Sequence, residues 1–112
     1  MQDMKDVLKE VDKGMKEFLK DTPEEMTAFA AFMKAVEIKG ALSSKDKELI
    51  AVALSVATHC KWCIAFHVKE ALNQGATDDE IREAAWMAVF MGGGPSLMYA
   101  QLVLKALEDF KK

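Results

Sequence analysis

The sequence predicts an all-α fold, a bundle of six helices arranged as helical hairpins. Strong helix formers dominate: Ala, Leu, Met, Glu and Lys. The two prolines, Pro23 and Pro95, both stand where a helix would begin. Apolar residues recur at spacings of three and four along most of the chain.

The first helix is expected from about Asp3 to Lys20. Met4, Val7, Leu8, Val11, Met15, Phe18 and Leu19 make one apolar face, and Gly14 weakens the helix slightly. Thr22-Pro23-Glu24-Glu25 reads as a capping box with proline at the first helical position. It opens a second helix carrying Met26, Phe29, Ala30, Phe32, Met33 and Val36, with Gly40 expected to end it. Ser43 or Ser44 caps a third helix beginning at Lys45. Ile50, Val52, Leu54 and Val56 alternate as in a strand, but no second strand exists to pair with them and a lone strand would leave its backbone groups unpaired. Read as a helix, the stretch from Leu49 to Leu54 is apolar on every side, which suits a central helix or one packed on a second subunit.

A fourth helix is expected to start near Cys60 and stop at Asn73-Gln74-Gly75, with Gly75 in the left-handed conformation. Thr77-Asp78-Asp79-Glu80 is a second capping box and opens a fifth helix bearing Ile81, Ala84, Ala85, Ala88, Val89 and Met91. Gly92-Gly93-Gly94-Pro95 then breaks the chain, as a turn between helices or a close backbone approach. It lacks the Lys-Ser/Thr of a phosphate loop. The sixth helix carries Leu97, Met98, Gln101, Leu102, Leu104 and Leu107, and Lys111-Lys112 suits its C-terminal dipole.

The chain has 112 residues and a formal charge of −3. Surface scaling gives a folded area near ~6,100 Å² against ~18,000 Å² unfolded, enough for one domain, 1–112, with a core. The charge excludes a strongly basic field, so nucleic acid is not an expected partner. Hydrophobic residues at 51% exclude a disordered chain. No apolar run reaches the ~18 residues of a membrane span, so no membrane partner is expected. Met1-Gln2-Asp3-Met4-Lys5 is acidic and amphipathic rather than a signal peptide. A reducing cytoplasm is therefore the expected compartment, where two cysteines point to reactivity or metal binding more than to a structural staple.

The chemistry lies in His59-Cys60-Lys61-Trp62-Cys63-Ile64-Ala65-Phe66-His67, with Glu48 upstream. On a helix, Cys63 falls about 60° round from Cys60 and His67 about 20°, so all three share one face. Cys60 occupies the first turn, where free N–H groups and the dipole favour a thiolate. Two cysteines three apart at a helix start can form a disulfide after one attacks an oxidant. Along one continuous helix Glu48 would lie ~18 Å from Cys60. A turn near Thr58-His59 instead folds it back as a hairpin, opposite residues in the high sixties that include His67. The expected line is carboxylate, imidazole and cysteine pair, with the imidazole taking the thiol proton.

Other readings compete. Both cysteines can simply pack in a core. Cys60, Cys63, His67 and His59 are zinc-ligand types, but His59 points off their shared face and no second C-x-x-C exists. No metal and no cofactor is therefore expected. Trp62 is expected to pack, at a subunit contact for instance, Trp86 and Tyr99 to line core or pocket, and His59 to cap the turn. The eight methionines read as flexible core filler.

The run Glu48-x11-Cys60-x2-Cys63-x3-His67 resembles the signature of the carboxymuconolactone decarboxylase and alkylhydroperoxidase D-like superfamily. The flanks Leu42 to Ile50 and His67 to Thr77, the segment Glu80 to Ala84 and the glycine turn also fit, so the resemblance covers about Leu42 to Leu107. It implies a six-helix alkylhydroperoxidase D-like bundle and an obligate homo-oligomer, a trimer or hexamer. It further implies reduction of a hydroperoxide by a disulfide-forming pair, regenerated by a dithiol or thioredoxin-like donor. Carried over by residue, Glu48 and His67 match the proton relay and Cys60 and Cys63 the redox pair. The resemblance makes Cys63 the attacking thiol, whereas the helix-start argument favours Cys60. Trp62 stands where the alkylhydroperoxidase pattern often has histidine. Two alternatives remain: a lyase acting on a small acid through His67 and Glu48, and a non-catalytic redox-sensing or metal-binding oligomer.

Overall fold

The computed structural model describes residues Met1 to Lys112. Six helices follow in order: α1 (Met4–Asp21), α2 (Pro23–Glu37), α3 (Ser44–Ala57), α4 (Lys61–Asn73), α5 (Asp78–Gly92) and α6 (Gly94–Asp109). None is long and apolar enough to cross a membrane. α3 packs on α4 and α5, α6 packs on α4 and α5, and α1 lies across α4 and α6. α2 leans on α1.

The core follows from helical spacing. α3 turns Val52 and Val56 inward, α4 turns Ile64, Ala65, Val68 and Ala71, and α5 turns Ile81, Ala85 and Ala88. Val103, Ala106 and Leu107 come from α6, and Met4 and Val7 from α1. The strand-like alternation in α3 resolves into two helical faces: Val52 and Val56, four apart, face the core, while Ile50 and Leu54, also four apart, face outward and are exposed.

The caps explain the boundaries. Ser43 Oγ accepts the Asp46 amide at 3.0 Å. The Thr77–Glu80 capping box forms in both directions. The box expected at Thr22 does not form: the Thr22 hydroxyl donates backward to Phe18 O at 2.8 Å, because this single residue serves as C-cap of α1 and N-cap of α2. α2 also ends before Gly40. Lys47 Nζ reaches across from α3 and donates to Val36 O at 2.8 Å and Ile38 O at 2.6 Å, neutralising the helix end there. Of the glycine run only Gly93 leaves the helical conformation, at φ 69°, where a side chain would be strained.

Two further differences from the expected pattern matter for the site. The apolar face of α1 is buried only at Met4 and Val7, with Leu8 packed beside them against the core. α2 buries no residue, and Phe29, Phe32 and Val36 are all exposed.

Asp109, fully buried, ties the chain ends together. Its Oδ2 accepts the Met4 amide at 2.8 Å and its Oδ1 the Lys105 ammonium at 2.9 Å. The Met4 N–H, at the positive end of α1, and the Lys105 cation hold its carboxyl below the usual carboxylate range.

Candidate functional site

The α3–α4 hairpin turns at Thr58-His59, as expected. Backbone bonds close the turn: His59 N–H donates to Val56 O at 3.1 Å, and Cys60 N–H to Ser55 O at 3.1 Å. Cys60 is then the N-cap of α4 with extended backbone, φ −112° and ψ 100°, so the helix begins one residue later than the sequence suggested. Its Sγ accepts the Cys63 amide at 3.2 Å, a sulfur filling the place usually taken by a Ser or Asp oxygen. Cys60 and Cys63 are joined as a disulfide, with Cα atoms 5.2 Å apart.

The antiparallel hairpin brings Glu48, on the second turn of α3, opposite His67, on the second turn of α4. Glu48 Oε2 lies 2.8 Å from His67 Nδ1. Glu48 is 6% exposed, and His67 keeps about a quarter of its side-chain surface open. A carboxylate only accepts, so Nδ1 carries a proton and donates it, and in the neutral ring the lone pair sits on Nε2. The start of α3 is held in place by an ion pair from Lys45 Nζ to Glu80 Oε2 at 3.0 Å. The Thr77 amide and Lys45 together hold the Glu80 carboxyl below its ordinary range.

An apolar groove of about 330 Å³ opens beside this pair. Trp62, Cys63, Phe66 and His67 of α4 form one wall, Val11 and Met15 of α1 another, and Phe29, Met33 and Glu37 of α2 the third. Cys63 and His67 both face it, one helical turn apart, whereas Cys60 is not part of the lining. Four residues therefore belong to one locality, but on two sides: Cys63 and His67 on the groove, Cys60 at the cap and Glu48 behind the imidazole.

Residue-pattern reasoning missed the α1 and α2 walls. Val11 and Met15 belong to the expected apolar face of the first helix, and their place on a groove wall shows only once α1 is seen to leave the core near its start. Nothing local marks Glu37. Trp62 is half-exposed, with the Lys61 ammonium 4.8 Å from its ring centroid. Trp86 lies on a different surface, beside Ile50, Leu54 and Met87. Tyr99 is partly buried against the core and stacks on His59.

Comparison with known proteins agrees with this architecture. Residues 23–106 match the Carboxymuconolactone decarboxylase family. An uncharacterised protein of the cox locus of Paracoccus denitrificans is 44% identical over 82 residues, covering 73% of this chain and 74% of its own. An uncharacterised protein of Cupriavidus necator is 39% identical, over 91% of this chain and 90% of its own. The crystal structure of a carboxymuconolactone decarboxylase family protein from Legionella pneumophila superposes with a TM-score of 0.93 at 45% identity, over 97% of both chains. One from Thermotoga maritima, for which an involvement in the antioxidative response has been raised, gives 0.83 at 27% identity, over 93% of this chain and 89% of its own. On its sequence and its fold alike, this chain belongs to the carboxymuconolactone decarboxylase family.

Proposed function

We propose that the protein is a thiol-dependent peroxidase, a disulfide oxidoreductase that reduces hydroperoxides through Cys60 and Cys63. The observation that carries the reading is the Cys60–Cys63 disulfide abutting an apolar groove that also holds a carboxylate-oriented imidazole. The antioxidative role raised for the Thermotoga maritima relative points the same way.

In the dithiol form, His67 Nε2 takes the proton of Cys63, its neighbour one turn earlier on the groove wall. The Cys63 thiolate attacks the outer peroxide oxygen. The O–O bond breaks, Cys63 becomes a sulfenic acid, and the departing alkoxide takes up a proton to leave as an alcohol. Cys60 sulfur then attacks Cys63 sulfur, the S–S bond forms and water leaves. A dithiol or thioredoxin-like donor returns two electrons and two protons. This division assigns attack to Cys63, which faces the groove, and resolution to Cys60, whose leaving thiolate the Cys63 N–H and the α4 dipole stabilise when the donor reopens the bond. The groove is mostly hydrocarbon, which suits an organic hydroperoxide.

The active form in this reading is a homo-oligomer, a trimer or hexamer. The chain exposes 7105 Å², some ~1,000 Å² more than a monomer of its mass should. The excess is about what one partner buries in a stable interface. Ile50, Leu54, Trp86, Met87, Phe90 and Met91 are exposed along α3 and α5, and α2, a wall of the groove, has no buried residue of its own. A neighbouring subunit would fix that wall.

Peroxide consumption with a dithiol donor tests the proposal. Cys60→Ser and Cys63→Ser should each abolish multiple turnover. Undiminished turnover in either variant contradicts the two-cysteine scheme, and an activity on a small acid retained by both would favour the lyase alternative.

A further inference from the structure

Two helices in this chain end with the same hydrogen-bond pattern. At the end of α4, Gly75 N–H donates to Leu72 O at 3.0 Å and Ala76 N–H to Ala71 O at 2.9 Å. At the end of α3, His59 donates to Val56 O and Cys60 to Ser55 O, both at 3.1 Å. This double closure requires a left-handed residue, ordinarily glycine. Gly75 supplies it at φ 87°. The α3 turn uses His59 at φ 56°, and no other non-glycine residue in the chain has a positive φ. Histidine is strained there where glycine would not be.

The side chain shows what opposes that strain. The His59 ring lies flat on the Tyr99 ring, with centroids 4.6 Å apart and planes within 6° of parallel. Tyr99 belongs to α6 and is packed against the core. The turn is therefore pinned to a helix that takes no other part in the site. The next residue is Cys60, whose amide is held by Ser55 O of α3 and whose sulfur caps α4.

We propose that His59 is a positioning residue for the redox pair, with Tyr99 as its anchor. The stack keeps the Cys60 sulfur beside Cys63 when the disulfide is open, so the two thiols meet at high effective concentration and the disulfide is favoured over the dithiol. The inference builds on the reading of Cys60 and Cys63 as a reversible pair. The exchange it modulates is balanced. A donor thiolate attacks one protein sulfur and the S–S bond breaks. The other protein sulfur leaves as a thiolate. The donor's second thiolate then attacks the donor sulfur of the mixed disulfide and displaces the first protein sulfur, and two electrons and two protons pass from donor to protein.

The experiment is redox equilibration of the full-length protein with dithiothreitol, read as the fraction of alkylatable cysteines. His59→Gly relaxes the backbone but unpins the turn. It should move the equilibrium about three- to tenfold toward the dithiol, the range expected for one aromatic pair, while its melting temperature stays level or rises. For a two-electron couple that is ~15 to 30 mV. Tyr99→Leu should move it likewise, and Tyr99→Phe, which keeps a ring to stack on, should match wild type. An unchanged equilibrium in His59→Gly overturns the proposal even if Tyr99→Leu does not fold. The equilibrium involves no peroxide, so a shift in the variants together with a wild-type protein that consumes no hydroperoxide upholds this inference and sinks the peroxidase reading.

Discussion

Glu48 and His67, nineteen residues apart, meet at 2.8 Å through a hairpin that turns on Thr58-His59. The contact has a direction. The buried carboxylate can only accept, so it fixes a proton on Nδ1 and, in the neutral ring, leaves the lone pair on Nε2; His67 and Cys63 line the same groove. In the proposed mechanism this ring is the base for Cys63, and the contact presets its tautomer.

Replacing Glu48 with Gln tests that dependence. The amide keeps the shape but can donate to Nδ1, which moves the ring proton to Nε2 and removes the base. The rate of Cys63 oxidation by an organic hydroperoxide should fall by about 10²-fold, the low end of what a positioned base contributes. His67→Ala should fall as far, and the double variant should be no worse than either alone. Stopped-flow consumption of peroxide by the reduced protein measures this. Additive losses would mean that the two residues act separately.

The order of the two cysteines is open to chemical trapping. If Cys63 attacks and Cys60 resolves, Cys60→Ser should consume one equivalent of hydroperoxide and stop at a sulfenic acid on Cys63. Mass spectrometry after dimedone labelling should find one adduct, on Cys63. Cys63→Ser should give no rapid adduct. Labelling of Cys60 alone in that variant, at the wild-type rate, would reverse the roles.

Much of this arrangement was legible in the residues, and the exceptions share a cause. Thr77-Asp78-Asp79-Glu80 and Ser43 were readable because capping is local: the donor and the acceptor lie within one turn. Thr22 carries the same letters and fails, because α1 ends where α2 begins and its hydroxyl can serve only one of them. Gly40 misled because the stop for α2 comes from Lys47, on another helix, which no window around Gly40 contains. Glu48 and His67 could be aligned once a turn at His59 was assumed, but the groove could not be drawn. Its far walls depend on how α1 and α2 lie relative to α4, and apolar periodicity gives the face of a helix without giving its neighbour. His59 was legible as a turn residue, but its left-handed backbone and its ring stack on a residue forty positions away were not.

Asp109 makes a prediction about acid stability. Its carboxyl is held below the usual range, so it contributes stability above the pKa it would have in the unfolded chain, near 3.9. That contribution is lost as pH falls through the lower, folded value. Asp109→Asn should therefore melt at a lower temperature than wild type near neutrality. The difference should hold down to about pH 5 and narrow steadily below pH 4. Thermal unfolding followed by circular dichroism across that range checks it. A gap that stays constant to pH 2 would show that the Met4 amide and Lys105 gain nothing from the charge.

The exposed apolar face of α3 and α5 predicts assembly through that face. Leu54 and Trp86 stand on adjacent helices and are 58% and 60% exposed in the single chain. Their neighbours within the fold cover less than half of each. Burying the exposed part of each at an interface would contribute about 1–2 kcal/mol per side chain, enough to shift the association state. Leu54→Glu and Trp86→Glu touch neither the disulfide nor the Glu48–His67 contact, and both leave the core of Val52, Val56, Ile81 and Ala85 untouched. Sedimentation velocity should show the wild type as an oligomer at micromolar concentration and each variant as a smaller species, with helical content retained. A wild type that sediments as a monomer at every concentration would mean that this surface serves some other partner.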